Sequence, residues 1–197
     1  MAFRQPNDSP PTSPGDPLAL PPGVSSEKFK EYIGRATEIV GEENVTIITE
    51  LEKETYADPS KAHDMFHLFD KSYFVASAVV APRKVTEVQA LMRLSNETGI
   101  PVWPFSMGRN VGYGGAAPRV PGSIGLDMGR HMNRVLEVNE SGAYALVEPG
   151  VTFTGLYEHL VQKGLDQKLW IDTPDLGGGS VLGNTIERGV GYTPYGG

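Results

Sequence analysis

The chain contains no cysteine, which excludes disulfides, thiolate metal ligands and cysteine nucleophiles and fits a reducing compartment. Positive charge is also scarce: 17 Lys and Arg stand against 24 Asp and Glu, for a net charge of −7. No basic stripe with interleaved aromatics occurs, so nucleic acid, whose binding rests on cationic contacts to phosphate, is not an expected partner. No apolar run reaches the roughly 20 residues that cross a bilayer. The first residues lack a charged segment followed by an apolar one, so no secretory leader is expected. A cytoplasmic location is the simplest expectation. Tyr195-Gly196-Gly197 is not a peroxisomal tripeptide, and a peroxisomal location would require a signal carried elsewhere. The histidines His63, His67, His131 and His159 show no pair at metal-ligand spacing, and no metal site is expected.

Glycine, by contrast, is abundant, with 24 in 197 residues, most of them from Gly108 onward. Glycine concentrated in this way marks tight turns or backbone brought close to something else. A 39% hydrophobic content is ordinary for a soluble domain and sufficient for one core, or two small ones.

Residues 1–22 carry seven prolines among polar residues and read as a flexible tail. Ser25 and Ser26 then offer helix caps before Phe29, Tyr32, Ile33, Ala36, Ile39 and Val40, a helical spacing that Gly41 ends. Val45–Thr49 is β-rich, and residues 50–72 are polar and irregular. A strand over Phe74–Val80, a helix over Thr86–Thr98 with Val88, Leu91, Met92 and the flanking Val85 on one face, and a strand over Pro101–Phe105 form a β-α-β unit with parallel strands. Further strands are expected at Ser123–Met128, Arg134–Val138 and Tyr144–Glu148. Thr152 caps a helix carrying Phe153, Leu156, Tyr157, Leu160 and Val161. Residues 172–197 read mostly as loop. The fold class is α+β (α/β), with residues 23–72 preceding a domain over 73–197.

Two glycine-rich segments carry the chemistry. The first, Ser106-Met107-Gly108-Arg109-Asn110-Val111-Gly112-Tyr113-Gly114-Gly115, directly follows a strand. Glycines there let successive N–H groups turn inward around an anion, with Ser106, Arg109 and Asn110 as further donors. It is not a P-loop, because no Gly-Lys-Ser/Thr follows, and neither its spacing nor the following element fits the dinucleotide fingerprint. A long surface turn is the other reading of the same residues. In the second, Pro174-Asp175-Leu176-Gly177-Gly178-Gly179-Ser180-Val181-Leu182-Gly183-Asn184, Ser180 and Asn184 suit a flat heteroaromatic ring or its phosphates. Asp175 beside Leu176 is either a partly desolvated carboxylate or the cap of a turn.

Together these segments resemble the vanillyl-alcohol oxidase / p-cresol methylhydroxylase flavoprotein family, from about Leu20 to Tyr195. The strongest stretches are Gly108-Arg109-Asn110 through Tyr113 to Arg119, Met132-Asn133-Arg134 through Val147-Glu148-Pro149-Gly150-Val151-Thr152, and Pro174 through Gly196. The resemblance implies a PCMH-type FAD-binding domain and an oxidoreductase of small phenolic substrates. Ser106, Met107, Gly108, Arg109, Asn110 and Val111 would hold the FAD pyrophosphate. Pro174, Leu176, Ser180, Val181, Asn184, Glu187, Gly189, Gly191 and Tyr192 would line the rest of the flavin site. Asp175 matches the carboxylate near flavin N5 and Tyr113 the tyrosine that bonds the substrate's phenolate oxygen. Where the family has a histidine assisting covalent flavin attachment, an ungapped register sets Phe66, and a shift of one residue sets His67, which also reads as a solvated loop histidine.

Family members are far longer and continue Tyr-Gly-Asp-His where this sequence reads Tyr195-Gly196-Gly197. The resemblance therefore implies a truncated chain, binding FAD weakly and inactive alone, whose full-length relatives form homo-oligomers. Two alternatives stand beside a para-phenol oxidase: an FAD-linked 2-hydroxyacid dehydrogenase, for which Tyr113 has no obvious use, and a non-catalytic remnant.

Overall fold

The computed structural model of the protein describes residues 15–50, 74–108, 115–171 and 177–186. In chain order these form helix α1 (Ser26–Val40), a 3-10 turn (Glu42–Asn44), strands β1 (Val45–Ile47) and β2 (Ala78–Val80), helix α2 (Val85–Thr98), strands β3 (Val102–Phe105), β4 (Ile124–Asp127), β5 (Val135–Asn139) and β6 (Tyr144–Val147), and helices α3 (Phe153–Gln162) and α4 (Val181–Ile186). The class is α+β, as the sequence leads one to expect.

Four strands form one sheet in the order β1-β2-β4-β3. β1 runs antiparallel to β2 as an edge, while β4 lies parallel to both β2 and β3, pairing Val79 with Gly125 and Phe105 with Asp127. The β2-α2-β3 crossover therefore skips a position, and the strand that follows the first glycine segment fills the gap. Period-2 alternation sorts the side chains onto two faces. Ala78, Val80, Ile124 and Leu126 join Phe29, Tyr32, Ala36 and Val40 of α1 and Leu91 and Leu94 of α2 in one core. Val79 and Phe105 turn the other way, into a second cluster with Ile48, Phe74, Val75, Ala116 and Ala117.

α1 begins where the Ser25 hydroxyl accepts the Lys28 N–H at 3.3 Å and ends at Gly41. On α2 the buried face is Glu87, Leu91, Leu94, Ser95 and Thr98, not the Val85–Val88–Leu91–Met92 stripe expected from the apolar residues. Val85 is 61% and Met92 39% exposed. Polar residues disguise the true face because each is satisfied locally. Ser95 Oγ donates to Ile100 O and Thr98 Oγ1 to Leu94 O. Burial pushes the Glu87 carboxyl up, but the Arg83 N–H at 2.8 Å and the Arg83 guanidinium outweigh that and leave it below the usual range.

From Asp16 to Val24, mostly within the stretch that reads as a tail, the chain lies against this core. Leu18 N–H donates to Ile48 O at 2.8 Å, and the buried Asp16 pairs with Lys30. A separate two-stranded ribbon pairs β5 with β6. Glu148 closes its base by accepting the Arg134 N–H at 2.8 Å and the Arg134 guanidinium at 2.7 Å. Leu136, Tyr144 and Leu146 on the ribbon stay exposed, as does Trp170 beyond α3, at 87%. No described helix is long and apolar enough to cross a membrane.

Tyr32 places its ring in the first core, yet its hydroxyl is buried without a hydrogen-bond partner among the described residues. Burial pushes the phenol up to about 12 from its ordinary 10.0. A raised phenol pKa means that folding favours the neutral form, so this contribution is whole below pH 10 and is lost as pH rises through about 12. Tyr32→Phe should therefore be as stable as the parent at neutral pH, or more stable by about 1 kcal/mol. It should also lose less stability between pH 10 and pH 12, as read by urea denaturation across that range. A clear loss at neutral pH would show that the hydroxyl is bonded after all.

Candidate cofactor site

In an open parallel sheet the natural ligand position is the crevice beyond the carboxyl ends of the strands. Here that end is formed by Phe105 of β3 and Asp127 of β4, which lie side by side. The first glycine segment starts there, with Ser106 and Met107 half-buried and Gly108 buried. Gly108 has φ +63°, a conformation that disfavours any side chain, and a Cβ on it would lie 3.1 Å from the Ala116 Cβ. The two feet of the segment thus touch. Trp103 fixes the far foot by donating its indole N–H to Gly115 O at 3.0 Å. Arg119 lies over the rings of Phe74 and Trp103 at 5.4 and 5.6 Å and donates to Ala117 O.

Beyond β4 the chain makes a turn. Asp127 Oδ1 accepts the N–H groups of Gly129 and Arg130 at 3.1 and 3.0 Å. Burial pushes the Asp127 carboxyl up, against those two N–H donors and the nearby Arg130 and His131, which pull it down. Gly129 packs its α-carbon directly on the Ser106 carbonyl and beside Met107 Sδ. On its other side it meets Gly150, where a Cβ would lie 2.7 Å from Gly129 O and 2.8 Å from Met132 O.

The second glycine segment is held by the strap that starts at Pro149. Val181 N–H donates to Val151 O, Phe153 N–H to Gly179 O, and Thr154 N–H to Gly177 O. The buried Ser180 donates its hydroxyl to Pro149 O at 2.8 Å and accepts the Gly183 N–H at 3.0 Å. Ser180 thereby starts α4, a turn of helix in a stretch that reads as loop. The glycine and asparagine within Val-Leu-Gly-Asn-Thr-Ile mask the helical signal there. The result is a meeting of the two segments: the Ser106 hydroxyl lies 3.1 Å from where a Cβ on Gly183 would be.

Of the residues expected to hold a cofactor, Ser106, Met107, Gly108, Ser180, Val181 and Asn184 fall in this one region. Arg109, Asn110, Val111, Tyr113, Pro174, Asp175, Leu176, Glu187, Gly189, Gly191 and Tyr192 lie outside the described residues, as do Phe66 and His67. Trp103, Asp127 and Gly129 belong to no motif read in the sequence, although the Asp-x-Gly of 127–129 is a recognisable turn signal, while Arg119 and Gly150 stand in the family-like stretches without a role of their own. Backbone bare of side chains beside the Ser106 hydroxyl, at the carboxyl end of the parallel strands, fits a dinucleotide and its phosphates.

Residues 76–196 match the FAD binding domain family. The chain belongs to it. Its PCMH-type FAD-binding domain fits the vanillyl-alcohol oxidase / p-cresol methylhydroxylase group. The chain is 36% identical over 177 residues to the 4-cresol dehydrogenase [hydroxylating] flavoprotein subunit of Pseudomonas putida, a match covering 90% of this chain and 32% of that protein. It superposes on 4-ethylphenol oxidase from Gulosibacter chungangensis, solved as an isoeugenol complex, with TM-score 0.79 and 46% identity, covering 90% of this chain and 32% of that one. It is also 31% identical over 111 residues to glycolate oxidase subunit GlcD of Bacillus subtilis, covering 55% of this chain and 23% of that protein. The chain thus spans about a third of the length of the 4-cresol dehydrogenase subunit and of 4-ethylphenol oxidase.

The close packing at Gly150 is directly testable. Gly150→Ala should destabilise the domain by about 1–3 kcal/mol, because the new methyl overlaps backbone that cannot move aside. Gly34→Ala, on α1 with nothing within 4 Å, should stabilise it by about 0.5–1 kcal/mol. Equal effects in urea denaturation would refute the contact.

Proposed function

We propose that this chain supplies the FAD-holding part of an oxidoreductase that removes hydride from para-substituted phenols. The observation that carries this reading is the likeness to 4-ethylphenol oxidase across most of the chain, in sequence and in backbone together. The chemistry FAD supplies when bound is acceptance of a hydride and delivery of the electrons to an external acceptor.

The roles of this chain's residues follow. Ser106, Met107 and Gly108, continued by Arg109, Asn110 and Val111, bind the pyrophosphate through N–H groups, one hydroxyl and one cation. Ser180, Val181 and Asn184, with Pro174, Leu176, Glu187, Gly189, Gly191 and Tyr192, line the ring system. Tyr113 donates a hydrogen bond to the phenolic oxygen of the substrate and favours its phenolate form. A phenolate pushes electron density toward the para carbon, which makes the benzylic C–H a better hydride donor. Asp175 stands near the point of transfer, where its charge favours the positive character left on the carbon.

A second reading, a 2-hydroxyacid dehydrogenase, is favoured by the likeness to the glycolate oxidase subunit. Tyr113 argues against it, because a hydroxy acid offers no phenolate to clamp.

Absorption spectroscopy of the purified chain mixed with FAD tests both readings. We expect a weakly bound flavin whose colour passes to the supernatant on acid precipitation. Addition of 4-ethylphenol should perturb the flavin band, and glycolate should not. Tyr113→Phe should raise the phenol concentration needed by about tenfold or more, the value of a hydrogen bond to a charged group. The reverse ligand preference would favour the hydroxy-acid reading, and a protein that stays colourless at saturating FAD would sink both.

A further inference from the structure

We propose that Asp127 is a positioning residue, setting the separation between the two glycine segments of the cofactor cradle without itself belonging to either. This rests on the cofactor reading above and deepens it. The chain of contacts is continuous. Asp127 Oδ1 gathers the N–H groups of Gly129 and Arg130 at 3.1 and 3.0 Å. That turn presses Gly129 onto the Ser106 carbonyl and Met107 on one side and onto Gly150 on the other. Gly150 N–H donates to Met132 O at 2.7 Å, fixing the strap to the same turn. On either side of Gly150 the strap holds the second segment, through the Ser180 hydroxyl on Pro149 O, the Val181 N–H to Val151 O bond and the Thr152–Ser180 bridge. One carboxylate oxygen at the end of the central strand therefore governs where Ser106 and Gly183 meet.

The carboxylate is suited to this task. Asp127 follows directly from the strand register that pairs it with Phe105, so its backbone position is fixed before the turn begins. Its hydrogen bonds to backbone N–H groups are charge-assisted and therefore stronger than neutral ones. The turn has no slack to replace them, because glycine meets backbone on both of its sides.

The test compares Asp127→Ala, which removes the acceptor, with Asp127→Asn, which keeps an acceptor oxygen at the same place. Backbone amide exchange is measured first on the chain without FAD. In Asp127→Ala, exchange should rise about tenfold or more at Met107, Gly108 and Val181–Asn184, as expected for the loss of bonds to a charged acceptor. The α1–α2 core should exchange as in the parent, and Asp127→Asn should restore parental exchange at both segments. In FAD titrations Asp127→Ala should bind about tenfold more weakly, with recovery in Asp127→Asn. Parental exchange in Asp127→Ala, or a rise spread evenly over the whole chain with a fall in melting temperature, would overturn the proposal. So would Asp127→Asn behaving like Asp127→Ala. If the parent chain binds no FAD, the cofactor reading falls, while the exchange data still decide the role of Asp127.

Discussion

Gly129 and Gly150 meet backbone to backbone, and most of the candidate site hangs from that meeting. A turn leaving the central strand and a strap leaving the ribbon can approach this closely only if neither carries a Cβ at the point of contact. The approach lets one short turn serve two masters. It supports Ser106 and Met107 from below and anchors, through Gly150 and its neighbours, the backbone that holds Ser180. The parallel sheet contributes a rigid platform, with Phe105 and Asp127 ending at the same level. Among the described residues nearer the cradle, 106–108 and 177–180 are loop and α4 is a short helix, all kept in place by hydrogen bonds from backbone to backbone and from a few short side chains.

Much of this was legible in the residues, for identifiable reasons. The helices at Ser26–Val40 and Phe153–Gln162 announce themselves by a capping serine or threonine and a single apolar stripe. Strands such as Ile124–Asp127 stand out because they are short, apolar and bounded by turn residues. The α2 face was misjudged because Glu87, Ser95 and Thr98 are polar yet buried, each bonded within its own helix or to the residues flanking it. Side-chain type alone does not reveal such local satisfaction. α4 was missed because propensity disfavours Gly183 and Asn184, whereas the Ser180 cap and the strap decide the conformation. The glycine segments themselves were visible as motifs. That they come together is implied by the resemblance, which seats both on one FAD; the contact that sets their meeting was not visible, because it depends on Gly129 and Gly150, which look like ordinary turn glycines.

The ribbon of β5 and β6 has a different character from the rest. Among the described residues it pairs only with itself, and Leu136, Tyr144 and Leu146 remain in solvent. A two-stranded ribbon is marginal by its own hydrogen bonds, so its base carries unusual weight. Glu148 is buried there and is held below the usual carboxylate range by the Arg134 side chain, which joins the two strand ends. The strap to the second glycine segment starts immediately after Glu148. The ion pair therefore ties this lightly supported ribbon to the cofactor region.

The placement of the two tryptophans has an optical consequence. Trp103 lies beneath Arg119 with its indole N–H bonded to Gly115 at the foot of the first glycine segment, while Trp170 stands in open solvent. The two indoles emit from unlike surroundings, so their fluorescence separates into a component from the segment's foot and a component from bulk water. An isoalloxazine absorbs in the region where indoles emit, and an FAD whose pyrophosphate sits on Ser106 and Gly108 would dim Trp103 by energy transfer. The chain thus carries an internal reporter for the state of its own cradle, with no added dye.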